Sequence, residues 1–416
     1  MRVLFFSNSG DFVPLNQKQF GKGYNNGGWV AALINELKQR KDIHVGVCFA
    51  MKGQTFKSVQ KDVTYYSFPN FKKNYKDKWL DLFYYKRPER DRILWPHFER
   101  HFKKAIEDFK PDVIEIFGSE VYLGLATFVA RCPVVLHVQG ILSLYIYTWF
   151  PPGVSLRSYL LQDWKPKRIF QRFQLYIYWQ RSCYREQEVL RHTKHVIGRT
   201  HWDKMATEIF NPERVYHYGG EILRPVFYEE HERVIPKRLT IVTTSSSPMY
   251  KGFDFVLRTA NILKNRLGQD FEWLVFGDVT PTFQEKFTGL KHDDLNIHLM
   301  GVVTASKIRD ALLTATVYFQ PSYIENSPNS VCEAQMTGVP VVATNVGGTS
   351  SLIEEGVTGF LVPTNDPYGA ASKIAMLAGD KLLNVSIGVK ARNLALKRHD
   401  RIRIVDELIK TYNDMT

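Results

Sequence analysis

Along this chain, short runs of β-branched and aromatic residues alternate with longer stretches in which apolar positions recur every three or four residues. In the first half the pattern predicts strands at residues 3–6, 44–49, 113–117, 134–138 and 195–198, with helices at 29–39 and 93–109. Pro111 and Asp112 stop the second helix and open the next strand. After residue 236 the rhythm restarts: strands at 239–244, 272–276, 296–300, 317–319, 341–344 and 360–362. Helices at 253–267, 305–313, 329–337 and 368–377 fill the intervals. Parallel strands need crossover connections, so this alternation predicts an α/β chain with two helix-covered parallel sheets and a ligand cleft between them. The expected domains are residues 1–222 and 238–395, joined by a linker at 223–237 that carries Pro225 and Pro236. A long basic helical pattern at about 382–412 is expected to return its end, residues 396–416, to the first domain.

The length, 416 residues, exceeds what one core ordinarily holds, and 44% hydrophobic with 23% charged residues is a globular composition. The longest apolar run, 141–150, contains Ser143 and Thr148 and falls far short of the roughly 18 residues that suggest a membrane span. Val3 to Phe6 followed by Ser-Asn-Ser-Gly reads as a buried first strand rather than a signal peptide, so a cytoplasmic protein is expected. Cys48, Cys132, Cys183 and Cys332 stand far apart without zinc spacing and read as reduced core residues. The net charge of +13 points to anionic partners: nucleotides, nucleic acid or an acidic membrane face.

The segment from Pro321 to Gly348 carries the densest chemistry. A strand ends in a turn at Pro321-Ser322, and a helix is expected to start near Pro328 with Ser327 as its N-cap. A helix start offers N–H groups and partial positive charge to a phosphate. Glu325 lies in the preceding loop and Glu333 within the helix, and carboxylates suit paired sugar hydroxyls. Gly347-Gly348 closes the strand that follows.

This segment resembles the signature of the large retaining nucleotide-sugar glycosyltransferase family of GT-B fold, typified by sucrose synthases and bacterial polysaccharide mannosyl- and glucosyltransferases. The resemblance implies two Rossmann-like domains and a nucleotide-diphosphate sugar as co-substrate. It implies that Glu325 contacts the donor hexose and Glu333 the ribose. The Asn326, Ser327, Asn329 and Ser330 turn would approach the diphosphate. Lys251-Gly252, after the first strand of the second half, places an ammonium where it can neutralise a leaving diphosphate without a metal. The family's Arg five residues earlier is here Ser246, and Arg199 is the candidate substitute. The family's Glu beyond the glycine pair is here Ser351.

Gly27-Gly28, before the first helix, resembles the family's Gly-Gly loop at the donor phosphates and lacks the spacing of a dinucleotide fingerprint. Gly277 and Val302 match positions that border the nucleotide. In the strand ending near 138, Gln139 stands where the family has a His beside the reacting sugar. His137, two residues earlier, would share its face, or else be a satisfied core histidine. Glu120 is a further cleft-edge acid for an acceptor hydroxyl. Neither a metal nor another cofactor is expected, because Asp293-Asp294 is an adjacent pair and not an Asp-x-Asp arrangement.

The acceptor class implied is a glycan or a lipid-linked glycan of cell-surface polysaccharide synthesis. Basic and aromatic residues interleave through 71–104 and 145–184, which suits peripheral contact with anionic headgroups at the inner membrane face; the alternative is a domain core. No zinc finger, RRM or helix-turn-helix pattern supports a nucleic-acid partner. The rival readings are a GT-B epimerase, a phosphorylase, or a non-catalytic subunit of which Ser246 and Ser351 would be the marks.

Overall fold

The computed structural model describes residues 1–8, 28–51, 55–60, 62–71 and 74–416. The first sheet contains β1 (Arg2–Ser7), β2 (His44–Met51), β3 (Lys57–Gln60), β4 (Val63–Pro69), β5 (Val113–Phe117), β6 (Val134–His137), β7 (His195–Gly198) and β8 (Val215–Tyr218). Its order is β3-β4-β2-β1-β5-β6-β7-β8, parallel throughout except for the antiparallel edge pair β3–β4. The second sheet is wholly parallel: β9 (Leu239–Thr244), β10 (Phe271–Phe276), β11 (Ile297–Gly301), β12 (Val317–Gln320), β13 (Val341–Thr344) and β14 (Phe360–Val362), ordered β11-β10-β9-β12-β13-β14. The central strands β1, β5, β12 and β13 are buried on both faces, as helix-covered parallel strands must be.

Three strands and two helical stretches are among the departures from the expectations. β3 and β8 are half-exposed edges without a continuous apolar run. β4 is buried but mixes Tyr65, Tyr66 and Ser67 into its run. The helix Pro166–His192 buries Arg181, Arg185 and Glu186, so its inner face reads as polar. The single terminal helix expected at 382–412 is two, Lys381–Arg398 and Arg401–Met415. The chain breaks where Asp400 caps the second through the Arg403 N–H at 2.9 Å and buried His399 turns Nδ1 to the Glu221 carbonyl at 2.9 Å. Ile404, Val405, Leu408 and Tyr412 of the last helix join the core that holds Val3, Phe5 and Trp29, so the terminus packs on the first domain.

Within residues 219–238 the structure has one short turn of 3₁₀ helix, Pro225–Tyr228. Residues 141–160 of the first domain reach across to the second: Tyr145 and Trp149 meet Tyr250 with ring centroids 5.5 and 5.8 Å apart. Val154 and Tyr159 form a small apolar cluster with Met249, flanked by Phe283 and Phe287. All four cysteines are unpaired, and among the described residues no helix is long and apolar enough to cross a membrane.

Candidate functional site

A cavity of about 370 Å³ opens between the domains at the carboxyl ends of both sheets. From the second domain it is lined by Ser245, Ser246, Lys251, Gln320, Glu325 and the turn Ser327–Ser330; from the first, by Trp29, Gln139 and Arg199. This is where the strand order of open α/β sheets leaves a crevice for ligands.

Each wall has a local cause. After β9 the chain makes a 3₁₀ turn at Met249–Lys251 and enters helix Phe253–Asn265 through Gly252, whose φ is +74°. A Cβ on Gly252 would stand 2.1 Å from the Pro321 carbonyl oxygen, so glycine is required for the two loops to touch. The Tyr323 N–H then donates to the Tyr250 carbonyl at 2.7 Å. This clamp sets Lys251 beside Glu325, with Nζ 2.6 Å from Oε1. The same oxygen accepts from Ser322 Oγ at 2.8 Å and Gln320 Nε2 at 3.3 Å. Burial works against the Lys251 ammonium, but Glu325 and Tyr250 outweigh it and its pKa lies above the usual lysine value. Gly347 and Gly348 seal the loop from behind: the Gly348 N–H donates to the Glu325 carbonyl at 2.9 Å, and a Cβ on Gly347 would lie 1.9 Å from that oxygen.

The helix Asn329–Thr337 starts as expected, but Ser327 does not cap it; Pro328 is the N-cap and no side chain closes the end. Ser327 Oγ instead lies 3.5 Å from Glu221 Oε1. The first N–H groups of this helix are thus left to the cavity, with the partial positive charge of a helix start. Asn326 is buried; its Oδ1 accepts from Thr200 Oγ1 of the first domain at 2.7 Å, and its Nδ2 has no partner among the described residues. Ser351, where the family pattern has an acid, accepts from the His201 N–H at 3.1 Å and so also ties the domains.

Arg199 lies in the cavity with Ser246 and forms a buried ion pair with Glu221. Nη2 donates to the Val138 carbonyl at 3.3 Å, and the guanidinium stands 5.2 Å from the Trp29 ring centre. Burial lowers its pKa, though carboxylate and phenol neighbours oppose that. With its amide turned to donate, Asn329 Nδ2 reaches both Glu221 oxygens at 2.7 Å. Glu333 is buried within the helix, where Arg224 grips it through two bonds of 2.7 Å. Burial raises the Glu333 pKa and Arg224 restrains the rise. Lys251–Glu325, Arg199–Glu221 and Arg224–Glu333 are therefore three cation–carboxylate pairs in and around one crevice. Glu221 and Arg224 escaped the sequence reading because both lie in or beside the linker, and their partners are distant in sequence.

The remaining predicted residues divide. Gln139 lines the cavity, but β6 ends at His137, so strand alternation does not carry from one to the other. His137 is a core residue: it is 1% exposed, its Nδ1 lies 2.7 Å from Glu115 Oε1, and its ring packs on Trp29 at 5.0 Å. Burial lowers its pKa. It is not among the residues that face the cavity, which corrects the expectation of a second cleft-facing side chain. Gly28 opens the first helix against the Arg224 side chain, while Gly27 lies outside the described residues. Gly277, with φ +113°, passes so close to the Ser245 carbonyl that a Cβ would stand 1.9 Å from it; it shapes the wall without lining it. Val302 is exposed beyond β11 and away from the cavity lining. Glu120 accepts from the Gly140 N–H at 2.8 Å, next to Gln139. Its other oxygen is buried with no partner among the described residues. Burial above all raises the Glu120 pKa to about 7. Among the described residues no group of three or more His, Cys, Asp or Glu is placed to hold a metal ion.

Residues 237–380 match the family described as Glycosyl transferases group 1. The chain is 26% identical over 169 residues to the Escherichia coli UDP-Gal:alpha-D-GlcNAc-diphosphoundecaprenol alpha-1,3-galactosyltransferase, covering 41% of this chain and 42% of that enzyme. It thus spans less than half the length of that relative. Among solved structures, sucrose-phosphate synthase from Thermosynechococcus elongatus superposes with a TM-score of 0.69 at 15% identity, over 99% of this chain and 98% of that one. HepE from Anabaena, solved with UDP and glucose, superposes with a TM-score of 0.65 at 18% identity, over 99% of each chain. At these identities the likeness is one of fold.

Proposed function

We propose, for a chain of GT-B fold carrying a group 1 glycosyl transferase domain over residues 237–380, that it moves a hexosyl group from a nucleotide-diphosphate sugar to a glycan or lipid-linked glycan, without a metal and with retention of anomeric configuration. The observation that supports this best is the position of Lys251, 2.6 Å from Glu325, in a cavity that also receives an uncapped helix start. An ammonium and aimed N–H groups are what a departing diphosphate needs, since its negative charge grows as the glycosidic bond to phosphate breaks. Glu325, already oriented by Ser322 and Gln320, presents a carboxylate to sugar hydroxyls. Glu333, which the resemblance assigns to the ribose, lies within the helix Asn329–Thr337 and is held by Arg224.

In this reading the acceptor hydroxyl attacks the anomeric carbon on the face the phosphate leaves. The new C–O bond forms as the old one breaks, and the hydroxyl proton passes to the departing phosphate oxygen. Closure of the two domains excludes water, which would otherwise hydrolyse the donor. Such an enzyme would work in the cytoplasm, with its first domain against the anionic inner membrane face. Exposed Trp79, Phe83, Tyr147 and Trp164 among basic residues support that placement.

The test is turnover with a panel of UDP-, GDP- and ADP-hexoses and a glycan acceptor, the product read by NMR. A product of the donor's own anomeric configuration, lost in Glu325→Ala, is expected. An inverted linkage overturns retention, and free sugar released at the same rate without acceptor overturns the transferase.

A further inference from the structure

The arm of the first domain at residues 141–160 has a firm root. The N–H groups of Leu142 and Ser143 donate to the buried Glu186 carboxylate at 3.0 and 2.7 Å. That carboxylate also accepts from Ser119 Oγ at 2.7 Å, which ties the root to the loop after β5 as well as to the helix Pro166–His192. Further along, Trp149 rests on Trp179 of the same helix, with ring centres 4.8 Å apart. From this base two buried rings, Tyr145 and Trp149, reach Tyr250 in the second domain. Tilted and edge-on rings at such spacing attract one another and hold a defined geometry.

Tyr250 in turn bears on its neighbour. The Lys251 ammonium stands 5.4 Å from the Tyr250 ring centre, within reach of the ring's negative face. The ammonium is therefore set by two contacts: Glu325 Oε1, and a ring that aromatics of the first domain hold. The tip of the arm adds to this. Val154 and Tyr159 pack on Met249, and Gly153 passes so near the helix Thr282–Thr288 that a Cβ would lie 3.3 Å from Phe287 Cζ. Met249 and Tyr250, two residues of the turn Met249–Lys251, thus rest on the first domain.

We propose that Tyr145 and Trp149 are positioning residues for sugar transfer: through Tyr250 they hold the Lys251 ammonium where a donor diphosphate meets it. The inference rests on the reading of Lys251 given above and adds to it a dependence on the opposite domain. Parting of the domains would strip Tyr250 of its packing and release the ammonium. A displacement of about 1 Å at a charge-stabilising group can cost on the order of a hundredfold in rate.

Two measurements on the full chain test this. Calorimetric titration with UDP, GDP and ADP and their monophosphates gives the margin by which diphosphate binding exceeds monophosphate binding. Tyr145→Leu, and in a second variant Trp149→Leu, should shrink that margin by about fivefold, while Tyr145→Phe, which keeps the ring, should retain it. On a Lys251→Ala background Tyr145→Leu should change the margin no further. Hydrogen exchange needs no ligand: the Lys251 and Gly252 amides, bonded to the Pro248 and Met249 carbonyls at 3.0 Å, should exchange faster in both leucine variants, with the amides of β9 unchanged. An unchanged margin in both leucine variants, or an equal loss with and without Lys251, overturns the positioning role and leaves the transferase reading intact. Faster exchange confined to the turn, in a chain whose parent binds monophosphate and diphosphate equally, upholds the packing of the arm on the turn and removes the docking of diphosphate at Lys251.

Discussion

Arg224 and Glu333 meet in a two-pronged ion pair, Nε to Oε1 and Nη2 to Oε2, both 2.7 Å. One residue belongs to the linker and the other to the helix that opens on the cavity between the domains, so the linker is tied to a wall of that cavity. A fork-to-fork pair of this kind holds orientation as well as charge. Arg224→Ala leaves a buried carboxylate unmatched and is expected to cost about 2–3 kcal/mol in urea unfolding, less than a fully buried pair because Arg224 is partly exposed. Glu333→Gln, which keeps hydrogen-bonding capacity, should cost less. Equal losses in both variants would show that the pair's geometry has no special role.

Arg199 and Ser246 line the same cavity, one where a base is present and the other where the family pattern has lost one. If Arg199 supplies the missing cation, Arg199→Ala lowers kcat by about 100-fold, the scale of one lost charge-stabilising donor. Adding Ser246→Arg to that variant should then recover at least tenfold. A role confined to holding Glu221 in place would leave the double variant as slow as the single one.

Glu120 gives the protein a pH dependence of predictable sign. Burial raises its folded pKa from an ordinary 4.5 to about 7, so between those values the folded chain keeps a proton that the unfolded chain has released. Stability contributed by this group is present at low pH, falls as pH rises across that window, and levels off above it. Glu120→Gln still offers an acceptor to the Gly140 N–H and removes the titration. Its melting temperature should gain on the parent by a few degrees between pH 5 and pH 8, measured by calorimetry. Parallel curves for the two proteins would contradict the raised pKa.

How much of this could be read from residues alone follows a physical line. Central strands such as Val113–Phe117 and Val341–Thr344 coincide with their predicted bounds because burial on both faces demands unbroken apolar runs. The helix Pro166–His192 escaped notice because Arg181, Arg185 and Glu186 are buried in it, and pairing, not hydrophobicity, is what satisfies them. Lys251 and Glu325 were legible since each sits at a strand–helix junction with its own Gly and Pro punctuation. Glu221 and Arg224 were not, since nothing local marks a charge whose partner is far along the chain, Arg199 for the one and Glu333 of the second domain for the other. Of the two readings left open for His137, the structure takes the core histidine, with its ring against Trp29 and its Nδ1 at Glu115.

The central claim is that a diphosphate docks against Lys251. Calorimetric titration of parent and Lys251→Ala with a nucleoside monophosphate and the matching diphosphate measures this directly. In the parent the diphosphate should bind at least tenfold more tightly than the monophosphate, and in Lys251→Ala that margin should vanish while monophosphate binding persists. A parent that binds both equally, or a variant that keeps the full margin, would contradict the account.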